Sequence, residues 1–64
     1  MDLLEFWHEN RYSYLSGLAG EPLAMVLEYV SKNHDIESMS KEELKILLND
    51  YVDEYIFGDS SWLN

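Results

Sequence analysis

Ser40 and Glu43 stand three residues apart at the head of an apolar repeat formed by Leu44, Leu47, Leu48, Tyr51, Val52 and Tyr55. A serine at a helix N-cap accepts a hydrogen bond from the third backbone N–H, and a glutamate at that third position returns one to the cap. Met39 and Leu44 fall where a hydrophobic staple closes over such a cap. The spacing of three and four gathers the apolar side chains on one helix face. Glu42 and Glu43 suit the positive end of the helix dipole, and Gly58 is a natural stop. These signals predict a helix over 41–57, about 26 Å long at a rise of 1.5 Å per residue. Its apolar face has to be covered by the rest of a 64-residue chain.

The remaining segments offer helices for that purpose. Asp2 is a good N-cap with Glu5 three residues on, and Met1 and Phe6 take the staple positions. Leu4, Trp7, Arg11, Leu15 and Leu18 follow at spacings of three and four, with Leu3, Phe6, Tyr12 and Tyr14 beside them. Arg11 fits the stripe by laying its aliphatic stem along it. The pattern predicts a first helix over 2–18, ended by Gly17 and Gly20. Pro22 suits the first turn of a second helix, over 22–32, whose stripe is Leu23, Val26, Leu27 and Val30, flanked by Met25 and Tyr29. Lys32 complements its negative end, and Asn33 tolerates a left-handed C′ conformation. His34 to Met39 reads as a connection. The expected fold class is all-α: one domain over 1–64, a compact three-helix unit with a short C-terminal tail.

A domain of this size buries only about 60% of the surface its unfolded chain exposes, so it starts from marginal stability. Disulfides cannot help, because there is no cysteine, and two histidines without a thiolate make a poor structural zinc site. The chain is nevertheless rich in core material, 47% hydrophobic and 14% aromatic, which separates it from disordered acidic sequences.

Charge narrows the function. Thirteen acidic and four basic side chains give a net charge of −9. Such a surface repels nucleic acids and anionic membranes and attracts basic proteins. No apolar run approaches the roughly 20 residues of a membrane span, and Met1 is followed directly by Asp2 with no basic n-region; a cytoplasmic location is the expectation. Catalytic signatures are missing. His8 lies three residues from Glu5 and four from Tyr12 without forming a recognisable pair, and the three glycines do not match a phosphate-binding loop. No stretch supplies a calcium-binding loop either. No enzymatic role and no cofactor or metal is expected.

Two features remain. Glu43, Asp50 and Glu54, with Asp53 beside them, lie along one flank of the third helix, and Glu37, Glu42 and Asp59 add charge at its ends while Lys41 and Lys45 offset the first turn. A row of carboxylates can occupy a basic groove by imitating nucleic-acid phosphates, in the style of phage or mobile-element inhibitors; the plain alternative is a solvated face. The second feature is apolar surplus: Ile46, Ile56, Phe57, Trp62 and Leu63 exceed what one small core uses. The Trp-Leu pair in a polar tail suits docking, onto the domain itself or into a partner. The expected function is therefore an acidic protein-binding module, with Glu43, Asp50, Asp53, Glu54, Phe57 and Trp62 as candidate partner-binding residues. A helical homo-oligomer, such as a homodimer held by apolar packing, is the alternative.

Overall fold

The computed structural model describes residues 2–63 and contains three α-helices: α1 (Leu3–Asn10), α2 (Gly20–Asn33) and α3 (Lys41–Phe57). Single turns of 3-10 helix at Ser13–Leu15, Ile36–Ser38 and Ser61–Leu63 complete the chain, and no strand occurs among the described residues. The all-α three-helix reading holds. The radius of gyration is 10.8 Å, close to the ~10.7 Å expected of a compact chain this long.

The third helix has the predicted limits because its signals are local. Ser40 Oγ accepts the Glu43 N–H at 3.1 Å, and Glu43 Oε1 accepts the Ser40 N–H at 3.2 Å. Leu44, Leu48 and Val52 are buried, and Leu47, Tyr51 and Tyr55 pack half-buried around them. Gly58 ends the helix, with a difference from the expected left-handed cap. Its φ is −114°, and its value lies in space, since a Cβ there would sit 2.7 Å from Glu54 Oε1 and 3.0 Å from the Glu54 carbonyl oxygen.

In α2 the whole predicted stripe is buried, namely Leu23, Val26, Leu27 and Val30. The helix starts two residues earlier than the proline suggested. Gly20 takes φ +68°, a left-handed conformation that glycine reaches without steric cost. Pro22 then falls inside the first turn, where backbone N–H groups have no intrahelical acceptor. Asn33 remains helical rather than left-handed, with its side-chain amide donating to the Tyr29 carbonyl at 2.9 Å.

The predicted helix over 2–18 is wrong beyond residue 10. Asp2 caps α1 as expected, its Oδ1 accepting from the Leu4 and Glu5 N–H groups; the Met1 half of the staple lies outside the described residues. At Arg11 the backbone turns extended, and it stays so at Tyr12. The cause lies 37 residues away in the sequence. Asn49 of α3 is 1% exposed, its Oδ1 accepts the Tyr12 N–H at 2.8 Å, and its amide donates to the carbonyls of Asn10 at 3.2 Å and Lys45 at 2.7 Å. One buried side chain thus satisfies both the Asn10 carbonyl at the end of α1 and the Tyr12 N–H just past it, while the Asn10 amide and the Arg11 guanidinium meet the Phe6 and His8 carbonyls. The short α1 turns Leu3, Phe6 and Trp7 toward the core and leaves Leu4 48% exposed, and Leu15 reaches the core from the 3-10 turn instead. Arg11 does not pack along a helical stripe; its guanidinium lies 3.0 Å from His8 Nδ1.

Packing is most extensive between α2 and α3, with α1 resting on both. The tail folds back against α2. Trp62 meets Tyr29 at a ring-centroid distance of 4.8 Å and Tyr51 at 5.1 Å. Aromatic pairs add about 0.5–1.5 kcal/mol each beyond area burial. Trp62→Ala should therefore destabilise the domain by about 2 kcal/mol, read as a lowered urea midpoint with an unchanged slope. A midpoint identical to wild type would mean that the tail does not dock.

Candidate functional site

Ile46, Asp50, Asp53 and Phe57 recur at intervals of four, three and four, which places them in one row along the solvent side of α3, opposite Leu44, Leu48 and Val52. Phe57, at 68%, is the most exposed large hydrophobic among the described residues. Glu54 follows Asp50 by one turn on the flank of this row. None of Asp50, Asp53 and Glu54 enters an ion pair among the described residues; the pair Lys32–Glu28, at 2.7 Å, lies on α2. Lys45, the nearest lysine in sequence, extends over the Tyr12 ring at 5.9 Å.

Tyrosines flank the acidic row on one side. The 3-10 turn that replaces the end of the predicted first helix brings Tyr12 and Tyr14 together, with ring centroids 6.1 Å apart and nearly parallel planes. Tyr14 is 63% exposed. Its phenol is raised above the ordinary value by desolvation first, and then by Asp53, the Tyr12 phenol and Asp50. Tyrosine offers a large rigid contact surface with a polar tip, beside carboxylates here.

On the other flank, Tyr29, Asp50, Tyr51, Glu54 and Trp62 line an open pocket of about 400 Å³. Tyr29 and Tyr51 are 5.7 Å apart and tilted, so the three rings present differently oriented faces. His34, which caps the end of α2, fixes Tyr51 through a 2.8 Å contact between Nε2 and the phenol oxygen. The Glu54 carboxylate lies close over Gly58, the space a side chain there would fill.

The candidate residues therefore separate. Asp50, Asp53, Glu54 and Phe57 share the outer side of α3. Glu43 stands apart at the first turn, where its carboxylate serves the N-cap. Trp62 is half-buried against Tyr29 and Tyr51, yet still lines the pocket. Tyr14, Tyr29 and Tyr51 were not among the candidates; their even distribution over three segments gave no motif to read. Among the described residues no group of three or more carboxylates or histidines is placed to hold a metal ion, and no helix is long and apolar enough to cross a membrane. Comparison with protein families, with characterised proteins and with solved structures gives no match.

Burial of Tyr51 has a consequence at high pH. Desolvation, followed by the neighbouring Tyr29, raises its phenol above the ordinary 10.0. The folded state then holds that proton more tightly than the unfolded state, so stability is full below pH 10 and falls as pH rises through the folded-state value. A series of urea midpoints from pH 8 to 11.5 should decline above pH 10, and the decline should be shallower in Tyr51→Phe. An equal decline in both proteins would remove Tyr51 as its source.

Proposed function

We propose that this domain is an acidic protein-binding module that grips a basic protein surface with the outer side of α3. The observation that carries this reading is the row of unpaired carboxylates, Asp50, Asp53 and Glu54, set between exposed Tyr14 and Phe57. Carboxylates supply steering and register, whereas exposed aromatics supply the burial that gives lifetime to a complex. Burying unpaired carboxylates against apolar surface is costly, so the complementary surface has to carry lysine or arginine. A basic groove that otherwise holds nucleic acid meets this requirement, and inhibition by imitation of phosphates is the sharper form of the proposal.

Self-association through the same side is disfavoured by symmetry. A two-fold interface centred on this stretch of α3 would set Asp50, Asp53 and Glu54 of one copy against those of the other. Sedimentation at about 50 μM should give the mass of a monomer.

The test is capture from a cell extract with three baits: wild type, the triple variant Asp50→Lys, Asp53→Lys, Glu54→Lys, and a control of equal net charge carrying Glu9→Lys, Glu21→Lys and Asp35→Lys. All six positions are outside the core. A specific partner of basic isoelectric point should be retained by wild type and by the control and lost by the α3 variant, and nucleic acid should compete if the partner's groove is a nucleic-acid site. A partner set shared by all three baits would overturn the proposal.

A further inference from the structure

We infer that the pocket between α2, α3 and the tail receives a single arginine side chain of the basic partner, an assignment that rests on the binding reading above and locates its centre. Its floor is the rings of Tyr29, Tyr51 and Trp62, packed against one another with centroids 4.8 to 5.7 Å apart. The rim is made by Asp50 and Glu54, one helical turn apart on α3, and neither carboxylate is held by a lysine or arginine of this chain among the described residues.

An aromatic floor rimmed by two carboxylates selects for charge and for shape. The negative face of an aromatic ring attracts a cation, tryptophan most strongly. A carboxylate at the rim adds direct hydrogen-bonded pairing. A neutral apolar group would fill the ring-lined part but would desolvate Asp50 and Glu54 without compensation. An anion would be repelled by both. Among cations, guanidinium fits better than ammonium, because it is planar, stacks on a ring face, and presents a fork of donors to two acceptors. The open volume of about 400 Å³ admits a long side chain entering from the partner's surface.

The pocket is also built with care for its rings. Tyr51 is fixed by His34 at 2.8 Å, and the space above Gly58 leaves room for the Glu54 carboxylate. Three separate stretches of chain have to fold before these five residues meet, so the site belongs to the native domain and not to a local motif.

The experiment uses the full chain, labelled with nitrogen-15, and three capped tripeptides, Gly-Arg-Gly, Gly-Lys-Gly and Gly-citrulline-Gly. Trp62 and Trp7 each give one indole N–H signal, and Trp7, only 1% exposed in the core, is the internal reference. Gly-Arg-Gly should shift the Trp62 indole saturably at millimolar concentration and leave Trp7 still. Citrulline, which keeps the shape without the charge, should bind about tenfold more weakly, as should the arginine peptide with the variant Asp50→Asn, Glu54→Gln. Lysine should fall between them. Glu9→Gln, on α1 and outside the pocket, should bind Gly-Arg-Gly as wild type does. Equal binding of arginine and citrulline, or a lysine peptide as tight as arginine, overturns the assignment. A partner that is lost by the α3 charge-reversal variant while Gly-Arg-Gly leaves Trp62 unmoved sinks the pocket and spares the module. A partner set indifferent to charge reversal sinks the module, whatever the tripeptides do.

Discussion

Trp7→Ala should cost about 3–5 kcal/mol, the range for deleting a large buried aromatic side chain. A domain of 64 residues possesses roughly 3–10 kcal/mol at about 0.05–0.15 kcal/mol per residue, so the loss is about a third of that or more. The variant should therefore lose its helical circular dichroism signal at a much lower urea concentration than wild type. Trp7 is 1% exposed, and it joins α1 to the core that Leu23, Val26, Leu44 and Leu48 build from the other two helices. Its indole N–H is buried without a hydrogen-bond acceptor among the described residues. Trp7→Phe is the informative partner variant, because it shrinks the side chain and also removes that stranded donor. It should remain folded and lose much less, about 1 kcal/mol. A Trp7→Ala protein that keeps a wild-type midpoint would show that α1 does not contribute to the core.

Asn49→Ala has the second largest expected effect. The change deletes three hydrogen bonds and leaves the Tyr12 N–H and the Asn10 carbonyl without their partner. A net hydrogen bond contributes about 0.5–1.5 kcal/mol, and a buried group left unsatisfied costs about 1–3 kcal/mol, so a loss of about 3 kcal/mol is expected. The damage should be local as well as global. Amide exchange at Tyr12 should rise sharply, and the Tyr12–Tyr14 pair should lose its fixed place beside Asp53. Asn49→Asp is the sharper variant. Its carboxylate can still accept from Tyr12 but cannot donate to Asn10 or Lys45, and it adds a charge in a buried place. It should be at least as destabilising as alanine. Wild-type stability in both variants would mean that the end of α1 is set by its own sequence.

The contrast between the two ends of the chain explains what could be read from the sequence. The limits of α3 were legible because Ser40, Glu43, Met39 and Gly58 act on the residues next to them. The core stripe of α2 was legible for the same reason, since Leu23, Val26, Leu27 and Val30 repeat at helical spacing. The end of α1 was not, because Leu15 and Leu18 continue the repeat while a side chain from α3 breaks the helix. Asn49 sits between Leu48 and Asp50 as one more polar residue, and nothing local marks it as buried. The acidic row was visible as spacing on one helix. The pocket was not, because Tyr29, Tyr51 and Trp62 become neighbours only when the tail packs on α2. The surplus of Ile46 and Phe57 over the needs of the core was read correctly, and both are exposed. Glu43 lies on the same flank of α3 as Asp50 and Glu54, two turns nearer the N-terminus, and its carboxylate also accepts the Ser40 N–H.

The side of α3 that bears Asp50, Asp53 and Glu54 is the centre of the functional account, and its most direct test is the affinity for the captured basic partner as a function of salt. Dissociation constants should be measured by calorimetry from 50 to 500 mM sodium chloride for wild type and for the neutralised variant Asp50→Asn, Asp53→Asn, Glu54→Gln. Surface charges separated by more than a Debye length, about 10 Å at 0.1 M, are screened first. The wild-type constant should weaken steadily with salt, and the neutralised variant should bind more weakly at 50 mM and respond to salt with a much shallower slope. Equal affinity and equal slope in the two proteins would contradict a binding role for these carboxylates.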